Sequence, residues 1–253
     1  MDASGNIGNV NDWTSAKGVT GVVLITPESE FVIAPEEWCT TDGSDYDGAW
    51  NGNTKSAWGG YGKTVTGIKT ATSKSDAITD FAGSANTDAI ISQLKGTTDD
   101  YSSYYTGAPA AEYCRAYSNG CKGAGQWYLP AAGEMNQIGL NKAAIEEALT
   151  AISGELFSSP GHEWTSTQYS SGSSWYYHRN EENFYLGDKY YSNIGVRPVC
   201  KIEDTTRNII TFKLGNTSYL GENQMTWQDW INSSYNTRGY KNTNNYLCTS
   251  SGV

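Results

Sequence analysis

The chain has 253 residues, which at ~150 residues per domain predicts one main domain with a small appendage, and its 17 basic against 27 acidic side chains give a formal charge of −10. That balance argues against nucleic acid or an anionic membrane as the primary partner. No apolar run approaches the ~20 residues of a spanning helix, so no membrane insertion is expected, and the start Met1-Asp-Ala-Ser-Gly-Asn6 lacks the basic and apolar regions of a signal peptide, so a soluble, unprocessed chain is expected.

In chain order, Gly21-Val-Val-Leu-Ile-Thr26 and Phe31-Val-Ile-Ala34 predict two buried strands joined through Pro27-Glu-Ser-Glu30, a hairpin that opens the fold. From Thr40 to Lys74 the chain is rich in Gly, Asn, Ser and Thr without helical period, which predicts long ordered loops pinned by Trp50 and Trp58. Three helices are expected next. Thr87 caps the first, with Ala89, Ile90, Ile91 and Leu94 on one face and Gly96 as its stop; Pro109 opens the second, with Tyr113, Cys114 and Tyr117 on a face and Gly120 beyond it. Asn141 caps the third, whose Ile145, Ala148, Leu149 and Ile152 form a stripe ending at Gly154, and between second and third Trp127-Tyr-Leu-Pro130 is a short strand stopped by proline. After Gly161, short strands with polar turns are expected up to Val196-Arg-Pro-Val199. A boundary at Asp204 separates the main domain, 1–203, from a strand-hairpin-helix module, 204–253. There Ile210, Phe212 and Leu214 alternate with polar residues, Gly215-Asn216 turns the chain, and Thr226-Trp-Gln-Asp229 resembles a capping box before Trp227, Trp230 and Ile231 on one helical face. Its abrupt stop at Val253 suggests a unit cut short or completed by a neighbour.

Motifs for catalysis are incomplete. Gly59-Gly-Tyr-Gly-Lys-Thr64 ends like a phosphate loop, but the motif's first glycine would fall at Ala57, with no strand leading in and no helix following, so it reads as a plain loop. Asp42, Asp45, Asp47 and Gly48 lack the alternating ligands and terminal Glu of a calcium loop and read as a solvated acidic loop. His162 and His178, the only histidines, have no second histidine at ligand spacing and no Gly-x-Ser-x-Gly elbow to serve, so they read as surface residues. Glu181 and Glu182 are adjacent, whereas glycosidase carboxylates face each other across a substrate at ~5 to 9.5 Å. Cys39, Cys114, Cys121, Cys200 and Cys248 are too scattered for a disulfide scaffold and contain no CxxC, so no structural zinc is expected. No catalytic residue, cofactor or metal is expected.

The composition is biased instead toward contact residues, with 28 Gly, 18 Tyr and 9 Trp, and the bias concentrates in Tyr169-Ser-Ser-Gly-Ser-Ser-Trp175-Tyr-Tyr-His-Arg-Asn180-Glu-Glu-Asn-Phe-Tyr185-Leu-Gly-Asp-Lys-Tyr190-Tyr-Ser-Asn193. Tyr, Ser, Gly and Asn dominate antibody paratopes, because Tyr offers rigid amphipathic area and the small polar residues adapt their hydrogen bonds. A disordered tract would lack the anchors Trp164, Trp175, Phe184, Leu186, Ile194, Val196 and Val199 that recur through this region. Most of the stretch also belongs to the set Asn, Tyr, Ser, Gly, Asp, His and Arg, all reachable from the codons AAC or AAT by replacing adenines.

Trp127-Tyr-Leu-Pro-Ala-Ala-Gly-Glu-Met135, the Asn141-Lys-Ala-Ala-Ile-Glu-Glu-Ala-Leu149 helix, His162-Glu-Trp-Thr-Ser-Thr-Gln168 and Gly195-Val-Arg-Pro-Val199 together resemble the variable proteins of diversity-generating retroelements, as found in gut bacteriophages and their hosts. The resemblance spans roughly Gly18 to Ile202, and Met225-Thr-Trp-Gln-Asp-Trp-Ile-Asn-Ser-Ser-Tyr-Asn-Thr237 resembles part of a small module that often follows such domains in phage structural proteins. The resemblance implies an α+β, C-type-lectin-type fold with mixed small sheets, two to three helices and long ordered loops. It implies a variable region of about 164–199, in which Trp164, Trp175, Arg197 and Pro198 are framework. The ligand-binding candidates are Tyr169, Ser170, Gly172, Ser173, Tyr176, His178, Asn180, Asn183, Tyr185, Gly187, Asp188, Tyr190, Tyr191 and Ser192, while Tyr177 and Arg179 break the alternation and leave their side open. The calcium-bridging sugar motifs of animal lectins are absent.

The expected function is non-enzymatic: a receptor-binding protein on the virion surface, in a tail or head fibre, whose partners are a host-surface protein or glycan and other phage structural proteins. Repeated copies raise avidity where single-site affinity is weak, and the family implies a homo-oligomer, a trimer by analogy. The alternatives are a bacterial surface adhesin and a fixed carbohydrate-binding domain of the same fold. An enzymatic alternative, a lectin-fold oxidase similar to formylglycine-generating enzymes, needs paired cysteines. Cys114 and Cys121 are the only close pair, and they read more simply as a local disulfide or buried thiols.

Overall fold

The β-branched and aromatic runs near the N-terminus form β1 (Val22–Ile25) and β2 (Glu30–Ile33), paired antiparallel with Val22 opposite Ile33 and Ile25 opposite Glu30. In the turn between them Ser29 N donates to Thr26 Oγ1 at 3.1 Å. This computed structural model describes residues 1–2, 7, 18–37, 56–98, 106–119, 122–157, 161–191 and 193–202, and strand backbone at 209–211, 219–220, 225–226, 239–241 and 246–249. β2 continues into β7 (Val199–Lys201), and β7 into β3 (Trp127–Tyr128), giving a four-stranded antiparallel sheet of order β1-β2-β7-β3. Strands from the two ends of the main domain thus lie side by side.

The architecture is mixed α+β, with helices α1 (Lys74–Ala77), α2 (Gly83–Leu94), α3 (Pro109–Ala116), α4 (Ala132–Leu140) and α5 (Lys142–Ala151). α3 begins at Pro109 as its fixed φ predicts, and α5 buries the expected Ile145 and Leu149, with Ile152 just beyond its end. One cap needs correction and one is met in position alone. Thr87 does not cap α2, which starts four residues earlier; its buried hydroxyl donates to Gly83 O (2.8 Å) and accepts from Leu129 N (3.0 Å), tying the helix to the end of β3. Asn141 stands at the N-cap of α5, as expected, but its side-chain amide donates to Gln137 O of α4 at 2.8 Å and makes no cap hydrogen bond. α4 has no counterpart among the expected helices, because Gly133 and Gly139 look like breakers. Both are demanded by packing: a Cβ at Gly133 would lie 2.5 Å from Asp80 O, and one at Gly139 would lie 2.3 Å from the Tyr177 hydroxyl.

Asp80 anchors this region. Its carboxylate accepts from Ala82 N (3.0 Å), Asn86 Nδ2 (2.9 Å) and Thr167 Oγ1 (2.7 Å), satisfying a nearly buried charge as burial requires. Glu134, also buried, accepts from Ala131 N at 2.8 Å and from the Tyr128 hydroxyl at 3.1 Å, and burial pushes its pKa up to about 7.

The second sheet consists of β4 (His162–Gln168), β5 (Ser173–His178) and β6 (Asn183–Asp188), antiparallel and in that order. One core cluster joins Phe31 and Ile33 of the first sheet, Met135, Ile138, Ile145 and Leu149 of the helices, and Trp175, Tyr177 and Phe184 of the second sheet. Another gathers Trp58, Ile90, Leu94, Cys114 and Leu129 around Trp164, Ile194 and Val196. At the C-terminus, β8 (Ile209–Thr211), β9 (Tyr219–Leu220), β10 (Met225–Thr226), β11 (Gly239–Lys241) and β12 (Tyr246–Thr249) pair with one another as β11-β12-β8 and β10-β9. The strand expected at Ile210 is present. Thr226, expected as a helix cap, lies in β10, and Phe212, Leu214, Gly215, Asn216, Trp227, Gln228, Asp229, Trp230 and Ile231 fall outside the described residues, as do Gly120, Trp50, Asp42, Asp45, Asp47 and Gly48.

Candidate binding face

Directly paired residues of antiparallel strands share a face of the sheet, so the register sorts the Tyr-rich segment into two sides. On one side stand Tyr176 opposite Tyr185, His178 opposite Asn183, and Ser174 opposite Gly187, with His162 and Trp164 of β4 opposite His178 and Tyr176. On the other stand Trp175, Tyr177 and Phe184, all in the core, where the Trp175 indole donates to Ala71 O at 2.9 Å and the Tyr177 and Phe184 rings are 5.0 Å apart.

Register for Tyr177 and burial for Arg179 settle the two residues whose side was open. Tyr177 faces inward, 4% exposed. Arg179, 2% exposed, enters a buried ionic cluster: it pairs with Glu163 and, at 3.6 Å, with Glu37, which also pairs with Arg197 at 2.8 Å. Both guanidiniums lie over the Phe157 ring, at 3.3 and 4.7 Å, so two Arg and two Glu neutralise each other around an aromatic plate. Trp164, Trp175, Arg197 and Pro198 are buried, as framework residues should be. Leu186, expected as an anchor, is 41% exposed, unlike Phe184 of the same strand.

The outward rings form a run. His162 and His178 have ring centroids 4.4 Å apart, His162 and Tyr176 5.3 Å, His178 and Tyr185 6.0 Å, and Tyr176 and Tyr185 6.0 Å. Past β6, Tyr190 packs edge-on against Tyr191 (5.1 Å) and Tyr61 (5.0 Å). Burial raises the Tyr176 pKa, with Tyr185, Glu181 and Tyr191 adding to it. Burial lowers the His162 pKa, His178 lowers it further, and Glu181 opposes both.

The remaining candidates lie at the two ends of the hairpins. At one end Ser170 Oγ accepts from Gly172 N (3.2 Å) and Ser173 N (3.1 Å), Ser173 donates to Asp188 (3.3 Å), and half-buried Tyr169 packs edge-on against Trp175. At the other, Asn180 is exposed and Asn183 accepts from Lys74 Nζ. Gly187 is buried, and a Cβ there would lie 2.7 Å from the Trp164 ring, so it serves packing and presents no side chain to a ligand. Ser192 lies outside the described residues. The clefts around Arg115 and Tyr128 and around Pro35 and Asn119 lie elsewhere.

Two residues at the face and one beneath it were not among the candidates. Tyr61 comes from the glycine loop between Trp58 and Val65 and reaches Tyr190. His162 precedes the segment, and the register shift in β4 between Trp164 and Gln168 sets it opposite His178. Lys189, within the segment but buried, points inward to Lys63 O and Gln168 Oε1, both at 2.9 Å, and burial pulls its pKa down to about 7. Among the described residues no group of three His, Cys, Asp or Glu is placed to hold a metal. Cys114 is a buried free thiol whose pKa burial pushes up, and Cys39 and Cys121 are outside the described residues. Comparison of the chain with protein families, with curated proteins and with solved structures finds no match.

Proposed function

We propose that the chain is a non-enzymatic binding protein of C-type-lectin type, similar to the variable proteins of diversity-generating retroelements. In this reading its Tyr-, Ser- and Asn-rich face holds a host-surface protein or glycan from the surface of a phage particle. The carrying observation is the division of labour within residues 169–191. Tyr185 and Tyr191 are exposed and His178 and Tyr190 partly exposed, Tyr176 stands beside them while packing against the Trp164 cluster, and Ser170, Ser173 and Asp188 lie at the hairpin ends. Much of the scaffold's hold on the segment is through main-chain atoms: Gly62 N donates to Ser171 O and Gly59 N to Lys189 O, both at 3.0 Å. Side chains outside such contacts can be exchanged at little cost in folding, the physical requirement of a diversified surface. Rigid tyrosines with a polar tip supply contact area at low entropic cost, and copies on a particle would add avidity.

The test is sequencing of the gene across a natural population of its source. Substitutions concentrated at the outward candidates and traceable to template adenines, with Trp164, Trp175, Tyr177, Arg179, Gly187 and Arg197 constant, are the expected result. Uniformly low variation across residues 164–199 would overturn the diversified reading and leave a fixed lectin-type domain.

A further inference from the structure

We infer that Tyr61 is a constant contact residue of the binding face, held in place by Lys189, and that the partner it meets is a protein surface; this rests on the binding reading above. The loop that carries Tyr61 has little conformational freedom. Gly59, Gly60 and Gly62 adopt φ of 90°, 62° and 85°, in the left-handed region, and a Cβ at Gly59 would lie 2.3 Å from Gly107 O. Tyr61 is the one side chain in that run, and it is partly exposed.

The loop is bonded into the sheet on several sides. The Trp58 indole donates to Thr165 O (2.9 Å), Gly59 N to Lys189 O (3.0 Å), Gly62 N to Ser171 O (3.0 Å) and Val65 N to Gln168 Oε1 (2.9 Å). Lys189 closes the set: its ammonium lies 4.3 Å from the Trp58 ring centre and donates to Lys63 O and Gln168 Oε1 at 2.9 Å. A buried lysine between Asp188 and Tyr190 therefore acts as a positioning residue for a distant loop. Gly59 and Gly62 reach the segment through the carbonyls of Lys189 and Ser171, so exchanging neighbouring side chains leaves those bonds in place.

The result fixes the Tyr61 ring between the hairpin end and the tyrosines after β6. A Cβ at Gly172 would lie 3.2 Å from its edge, and Tyr190 packs against it at 5.0 Å. A ligand bridging Ser170–Ser173 and Tyr190–Tyr191 must cover Tyr61, whatever side chains those positions carry. Tyr185 and Tyr191 are exposed and Tyr61, Tyr176 and Tyr190 partly exposed, and rigid tyrosines among small polar residues are the chemistry of protein-binding paratopes.

The test uses the full chain with Ser170, Ser173, Tyr185, Asp188, Tyr190 and Tyr191 randomised, selected in parallel on ribonuclease A and on dextran. Tyr61→Ser, placed in independent ribonuclease binders, is expected to weaken most of them about tenfold or more with an unchanged melting temperature, and Tyr61→Phe to retain most of the affinity. Nitration of Tyr61 by tetranitromethane, which needs no variant, is expected to be blocked in the complexes. Binders indifferent to Tyr61→Ser and still nitrated at Tyr61 overturn the inference while the binding reading stands. Binders on dextran alone overturn the partner class, and a library yielding none on either overturns the binding reading and the inference together.

Discussion

The two sides of the β4-β5-β6 sheet differ: on one, Trp175, Tyr177 and Phe184 are core, while the other passes from buried Trp164, Ser174 and Gly187 to partly exposed Tyr176 and His178 and exposed Tyr185. Tyr177 and Tyr176 are neighbours in β5; the first lies in the core against Gly139 of α4 and the Phe184 ring, and the second stands beside His162 and Tyr185 on the outward side. Period-two geometry alone assigns them, because successive side chains of a strand point to opposite faces. Composition therefore identifies the segment as a contact surface, whereas register decides which of its aromatics are structural. The same holds past the strand ends: Arg179 is buried next to exposed Asn180, and buried Lys189 precedes Tyr190.

The sharpest way to break that contrast is truncation on each side. Trp175→Ala is expected to cost ~3 to 5 kcal/mol in urea denaturation, since it empties a buried aromatic site and removes the donor to Ala71 O. Tyr185→Ala, at a residue 37% exposed, should stay within about 1 kcal/mol of the parent. Equal losses would mean that the outward tyrosines are core and that the two faces are not different in kind. A smaller effect sharpens the contrast within the candidates. Gly187→Ala should cost ~1 to 3 kcal/mol, because the new methyl group meets the buried Trp164 ring at 2.7 Å. Gly172→Ala, whose methyl group meets only the edge of partly exposed Tyr61, should cost less in the same denaturation series. A neutral Gly187→Ala would return Gly187 to the exchangeable set.

Where local pattern sufficed, the sequence was informative: the β1-β2 hairpin, the Pro109 helix start, the Ile145-Leu149 stripe and the strands after Gly161 all follow from residue type and period. The misses have tertiary causes. α4 was hidden by Gly133 and Gly139, which are small because Asp80 O and the Tyr177 hydroxyl press on them, and no local signal distinguishes such glycines from breakers. At the face, counting back from the Gln168–Ser174 pair would put His162 opposite Asn180, but the irregularity in β4 moves it opposite His178. The contacts of Tyr61 with Tyr190, and of Lys189 with Trp58 and Lys63 O, cross most of the domain, and a Gly-Gly-Tyr-Gly run signals a special backbone without saying what it faces.

The smallest expected effect concerns that displaced histidine. Its folded-state pKa is lowered, by burial first and then by His178, so the folded protein resists a proton that the unfolded chain accepts near 6.5. Below 6.5 the unfolded state therefore binds more protons, and His162 contributes a loss of stability as pH falls through the window down to its folded pKa. Above 6.5 both states are neutral and the contribution vanishes. In melting curves from pH 7.5 to 5, the parent should decline more steeply than His162→Gln, with the difference confined to the acid side. Titration of the His162 ring by NMR gives the sign of each neighbour: His178→Gln should move its pKa up by removing a like charge, and Glu181→Gln should move it down by removing the carboxylate that opposes the shift. A His162 pKa unmoved by His178→Gln would mean that the two rings do not face each other across β4 and β5, and the register that divides the sheet's two sides would have to be redrawn.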